Sequence, residues 1–176
     1  MVCHRPGDPP FADIMQFKQN TNRAAHLLRR LIGECIDLRI APMCGLKPVK
    51  ADESQLEQAV VNLIVNSRDA MGGKDTIQVR TYNDAANEPR RKRNEVMPAR
   101  KFVLLEVDDS RTDIAKNLDR VVELFFWTRD VSLGAGLWLY TVYCTVKKTE
   151  GFYFVDTAIG VGTKFSIHLP THDGVN

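Results

Sequence analysis

Apolar residues recur at three- and four-residue spacing from Phe11 to Gly33, where Phe11, Ile14, Met15, Ala24, Ala25, Leu28, Leu31 and Ile32 predict a helix that Gly33 breaks. One amphipathic helix is unstable alone in water, so this stripe must pack on its own domain or on a second copy of itself. Ile36–Ile40 predicts a short strand, and the Pro/Gly-containing stretch 41–48 a loop. The most regular element follows. Asp52 is placed to cap a helix with Gln55 three residues on, and Leu56, Val60, Leu63, Ile64, Ala70 and Met71 form its buried stripe before Gly72-Gly73 end it. Thr76–Tyr82 and Lys101–Val107 predict strands on either side of a long polar loop, and helices are expected over 117–124 and 137–148. The chain closes with strand-like runs at 152–156 and 163–169, the second alternating Phe165, Ile167 and Leu169. Helices interleaved with a mixed sheet predict an α/β two-layer sandwich over 34–170, with 1–10 a disordered entry and 171–176 a tail.

Composition narrows the function classes more than it names one. The chain has 176 residues, 44% of them apolar, enough for one ordinary core. A net charge of +2 with 26% charged residues demands neither nucleic acid nor an acidic membrane as partner. Cys3, Cys35, Cys44 and Cys144 form no CxxC pair, and no apolar run approaches the ~18 residues of a membrane span. The expectation is a reduced, cytoplasmic chain without a membrane segment. The run Pro89–Arg93 ("PRRKR") is strongly basic, but Asp84, Glu88 and Glu95 lie near it, so a solvated tip of the 83–101 loop is expected rather than a nucleic-acid site.

Candidate chemistry concentrates in two places. On the helix after Asp52, Asn62, Asn66 and Asp69 fall at i, i+4 and i+7 and share one face beside the apolar stripe. Carboxamide oxygens are hard donors suited to a Mg²⁺ that keeps most of its waters, yet the same spacing also describes a merely solvated face. Further on, "LGAGLWLYTVY" (Leu133–Tyr143) places Gly134 and Gly136 before an apolar helix, the pattern of a phosphate-binding loop, but with the indole of Trp138 inside it.

The order of the pieces adds to this. "NLIVNSRDAM" resembles the N box of the family that contains histidine kinases, gyrase-type ATPases and related chaperones; "EVDDSRTDI", "ELFFWTR", "GAGLWLY" and "GVGTKF" resemble its G1, F and G2 boxes and its terminal Gly-x-Gly-Thr-x-Phe, in the family's order. Within that family, "SQLEQAVVNLIVNSRDAM" and "GDPPFADIMQFKQNTNRAAHLLRR" are similar to the alphaproteobacterial cell-cycle hybrid sensor kinases. The resemblance implies the Bergerat-type ATP-binding fold, with ATP and Mg as cofactors. It implies Asn66 as Mg²⁺ ligand supported by Asn62, Asp69 on the same face, Asp109 as acceptor for the adenine amino group, Thr163 as its support, and Gly134 and Gly136 at the phosphates. It makes 11–33 the remnant of a dimerisation and phosphotransfer hairpin, and makes a response-regulator receiver or a histidine phosphotransfer protein the partner. The hairpin's phosphoacceptor motif is not found in the sequence, and neither His4 nor His26 stands in its context.

Departures gather where the phosphates would sit. The G1 glycines are replaced by Arg111 and Asp113, Leu124 and Trp127 stand in the F box for proline and threonine, and Trp138 and Tyr140 replace small residues of the G2 box. Each charge-assisted amide-to-phosphate bond contributes about 1.5–3 kcal/mol. Losing two of them, with backbone strain, weakens ATP binding about a hundredfold to ten-thousandfold. Asn62 stands where the gyrase-type relatives carry a glutamate base, so hydrolysis is not expected. The sequence therefore predicts a degenerate kinase domain with weak or no activity and no catalytic residue of its own; a non-catalytic adaptor is the alternative.

Overall fold

The computed structural model describes residues 28, 32–33, 36–69, 76–92, 95–109, 136–158 and 162–172. The helix expected over 117–124, most of 11–33, and Gly134 lie outside the described residues.

The chain forms β1 (Asp37–Pro42), α1 (Glu53–Asp69), β2 (Thr76–Ala85), β3 (Arg90–Lys92), β4 (Glu95–Met97), β5 (Lys101–Asp109), α2 (Gly136–Lys148), β6 (Phe152–Ala158) and β7 (Gly162–Pro170). Five strands make one sheet in the order β1-β2-β5-β7-β6. β1 runs parallel to β2, joined through α1, and the other pairs are antiparallel. Both helices pack against one face, which gives the two-layer α/β sandwich that the sequence pattern predicts.

α1 starts where its capping chemistry says it should. The Gln55 N–H donates to Asp52 Oδ1 at 3.1 Å, and the Leu56 N–H donates to the Asp52 carbonyl at 3.0 Å. Its buried face carries Leu56, Ala59, Val60, Leu63, Ile64 and Ser67. These meet Ile77 and Val79 of β2, Val103, Leu105 and Val107 of β5, and Phe165, Ile167 and Leu169 of β7, alternate residues on each strand. Helical Leu28 and Ile32 join the same core, and Gly33 follows them at φ +81°, a left-handed position that favours glycine at a helix end. At the other end of α2, a Cβ at Gly151 would lie 2.8 Å from the His168 carbonyl, so only glycine admits β6 and β7 this close to the turn.

The expected polar loop over 83–101 is instead largely ordered pairing. β2 continues to Ala85, and β3 and β4 form a small hairpin in the register Arg90↔Met97, Arg91↔Val96, Lys92↔Glu95. It covers part of the sheet's second face, where Ala86, Met97, Phe102 and Phe154 make a separate apolar cluster with Phe152 packed on it. The charges counted as solvated are largely paired: Arg90 grips Asp84 through two contacts of 3.1 and 2.8 Å, Lys92 meets Asp156 at 2.6 Å, and Glu95 meets Lys147 at 2.6 Å. Lys92 also lies 5.1 Å over the Phe154 ring. No helix among the described residues is long and apolar enough to cross a membrane.

His168 is enclosed in that second cluster, edge-on to Phe102 and Phe154. Burial pulls its pKa down from 6.5 to about 4, against the pull of Asp84, whose Oδ2 lies 3.6 Å from Nδ1. The unfolded chain binds a proton on this histidine that the folded chain refuses between those values, so stability is full above about pH 6.5 and falls as pH drops toward 4. The loss should reach up to about 3 kcal/mol. Urea unfolding of the wild type at pH 7 and pH 5 should show the decrease, and His168→Phe should flatten this segment of the profile.

Candidate functional site

α1 and α2 run antiparallel, because Lys50, Ala51, Asp52 and Gln55 at the start of α1 share a shallow surface pocket with Thr145, Lys148 and Thr149 at the end of α2. The last turn of α1 and the first turn of α2 are therefore together at the opposite end. β2 begins there as well, after the short connection 70–75, and its Ile77 is the register partner of Asp109, the last residue of β5. On the other side of β5, Asp109 pairs in register with Thr163, the second residue of β7. One edge of the sandwich thus gathers the ends of both helices and of the two central strands.

Asp109 is 0% exposed and Thr163 1%. A carboxylate taken that far from water needs hydrogen-bond donors in compensation, and the Thr163 N–H donates to Asp109 Oδ1 at 2.9 Å. Gly162, at φ +129°, bends the chain just before Thr163 and sets that N–H in place. The sheet's second face braces the same strand ends. The Arg80 guanidinium sits 3.2 Å from both Glu106 and Asp108, and Lys164 lies 3.9 and 4.0 Å from the same two carboxylates. Two cations on β2 and β7 thus flank two anions on β5, one residue short of Asp109. Tyr82 joins the group; burial, then the Glu106 carboxylate, push its phenol up to about 12.

The α1 residues are distributed unevenly with respect to this edge. Asn66 is half-buried in the last turn. Asn62, one turn earlier, accepts a hydrogen bond at Oδ1 from Gln58 Nε2 at 2.9 Å, which fixes its amide orientation. Asp69 is exposed, and its carboxylate is engaged by the adjacent Arg68 Nε at 2.7 Å. Gly136 opens α2, while Gly134 lies outside the described residues. Among the described residues no group of three or more His, Cys, Asp or Glu side chains is arranged to hold a metal. A hard carboxamide such as Asn66 fits a metal that draws its remaining ligands from water and a bound phosphate.

Sequence reasoning passes over Ser67. It is 0% exposed, and its hydroxyl finds no hydrogen-bond partner among the described residues. The available signal is its phase: Ser67 falls three and four residues after Ile64 and Leu63, on the apolar stripe rather than the polar face.

A sequence profile of the family described as "Histidine kinase-, DNA gyrase B-, and HSP90-like ATPase" matches residues 51–173. The chain is 39% identical over 201 residues to the sensor kinase CckA of Brucella abortus (strain 2308), an alignment covering 97% of this chain and 21% of the relative. It spans about a fifth of that protein. Among solved structures, the mycobacterial sensor histidine kinase MprB superposes with a TM-score of 0.61 at 23% identity, covering 88% of this chain and 94% of that one. Full-length ShkA, solved in complex with AMPPNP, gives a TM-score of 0.64 at 20% identity over 96% of this chain and 33% of its own. At such identities the superpositions establish the fold.

The buried pair can be tested without any ligand. Asp109→Ala strands the Thr163 N–H in a dry site and should cost about 1–3 kcal/mol in urea unfolding. Asp109→Asn keeps an acceptor at Oδ1 and should stay within about 1 kcal/mol of wild type.

Proposed function

The chain belongs to the histidine kinase-, DNA gyrase B- and HSP90-like ATPase family, and from that membership we propose that it is the nucleotide-binding domain of a two-component sensor kinase whose purine slot persists while its phosphate cradle is altered. The observation that carries the reading is the buried Asp109 carboxylate locked by the Thr163 N–H at the edge where α1 and α2 converge. An ionised carboxylate accepts but does not donate, so it suits the exocyclic amine of adenine and repels the carbonyl that guanine presents there. Asn66 would hold Mg²⁺ with Asn62 orienting the helix face behind it, and Gly136 would leave room for phosphate at the start of α2. Bound Mg-ATP supplies the transferable phosphoryl group. This chain's part is to bind the base, orient the tail and exclude water.

The weak point is the tail. Arg111 and Asp113 occupy G1 glycine positions and Trp138 a G2 position, which adds bulk and a carboxylate where amide N–H groups would otherwise meet phosphate. Asp69, the remaining acidic residue of the helix face, is tied to Arg68 in solvent. Phosphoryl transfer from this site is therefore slow or absent.

The same substitutions support a second reading, a non-catalytic adaptor that docks a receiver or phosphotransfer partner, or pairs with itself through 11–33. Calorimetric titration separates the two. The wild type should bind Mg-ATP no tighter than the millimolar range, and the triple reversion Arg111→Gly, Asp113→Gly, Trp138→Gly should tighten it by about a hundredfold or more. Micromolar binding by the wild type would sink the altered-cradle reading; no binding by either protein would favour the adaptor.

A further inference from the structure

The β3–β4 hairpin closes over part of the sheet's second face and shuts a titratable group beneath it. His168, on β7, is 7% exposed and lies edge-on to Phe102 and Phe154, in the cluster that Met97 of β4 completes. Its Nδ1 is buried without a hydrogen-bond partner among the described residues, since Asp84 Oδ2, at 3.6 Å, is beyond hydrogen-bond reach. Asp84 on β2 and Glu106 on β5 favour a proton on the ring, while Lys92 and Arg90 on β3 oppose one. The same two cations hold the hairpin down: Arg90 on Asp84, and Lys92 on Asp156 of β6 and over the Phe154 ring. Glu95 of β4 adds another tie, to Lys147 of α2.

Asp84 therefore has two claimants. Arg90 grips it while His168 is neutral. A proton on His168 places a second cation beside that carboxylate, in competition with Arg90, and repels both Arg90 and Lys92. A charged imidazole among aromatic rings also lacks the water it needs, which lifting the hairpin would admit. We propose that the β3–β4 hairpin is a proton-released cover: protonation of His168 detaches it from the sheet's second face, and its closure expels the proton. The two events are linked reciprocally, so the hairpin acts on the proton as strongly as the proton acts on the hairpin. Burial, then Lys92 and Arg90, hold the covered imidazole at about 4, below its ordinary 6.5. Docking is thus complete above about pH 6.5 and weakens as pH falls toward 4. Release uncovers an aromatic surface, Phe102 and Phe154 with Phe152 beside them.

Amide hydrogen exchange followed by NMR on the full chain, corrected for intrinsic rates, tests the proposal at pH 8 and pH 5. The hydrogen-bonded amides of β3 and β4 should exchange through a local opening, so their protection should stay below that of β5 and β7. It should fall about thirtyfold between the two pH values, the ratio expected for a proton accepted at 6.5 and refused down to about 4. His168→Phe, which keeps an aromatic ring in the cluster, should leave hairpin protection constant over that range. An uncharged change in the hairpin gives the reciprocal test. Met97→Ala should raise the pKa of the His168 imidazole, followed by its ring proton shifts, by about one unit. Hairpin protection that ignores pH, that equals the protection of β5 and β7, or that still falls in His168→Phe would overturn the proposal. So would an imidazole titration unmoved by Met97→Ala.

Discussion

The hydrogen bond from the Thr163 N–H to the Asp109 carboxylate joins residues 54 positions apart in sequence, and the geometry of the candidate site depends on its being made. It requires β5 and β7 to be paired in register, Gly162 to turn at positive φ, and the α1 side of the sheet to exclude water. A register slip of one residue would turn Asp109 to the other face, among Glu106 and Asp108, where a carboxylate is unremarkable. The alternation along β5 is what separates a buried carboxylate from an ion-paired one. Asp108 and Asp109 are chemically identical neighbours, and the pleat alone assigns one to an ion network and the other to a dry slot.

That dependence also explains what could be read from the sequence. α1 is legible because cap, phase and length agree: Asp52, Gln55 and an apolar stripe sustained over several turns. β7 is legible because Phe165, Ile167 and Leu169 alternate over a full strand. The β3–β4 hairpin is not, since each strand has only three residues and β3 consists wholly of charged side chains that composition marks as solvated. Its apolar anchor, Met97, finds its cluster only in three dimensions.

The candidate site shows the same division. Asp109 and Thr163 are visible through motif order, because spacing patterns within a family report residues whose partners are distant. Asn62 and Asn66 are visible by helical phase, though phase alone does not distinguish them from a wet face. Ser67 escapes because a serine beside two asparagines is read by its polarity, whereas its angle on the helix puts it inside. The counter-charges of Arg80 and Lys164 escape for another reason: cross-strand neighbours are set by sheet order β2-β5-β7, which no local pattern encodes.

The β3–β4 hairpin changes what its positive charge can do. Arg90 and Lys92 already have carboxylate partners within the fold, and Lys92 also shields an aromatic ring. A polyanion approaching this surface would have to break an internal ion pair for each contact it gained with these two side chains, a cost that offsets part of the counterion-release entropy driving polyelectrolyte association. Written as a linear string the run resembles a docking tag for phosphates; folded, those two cations act as fasteners for the sheet's second face.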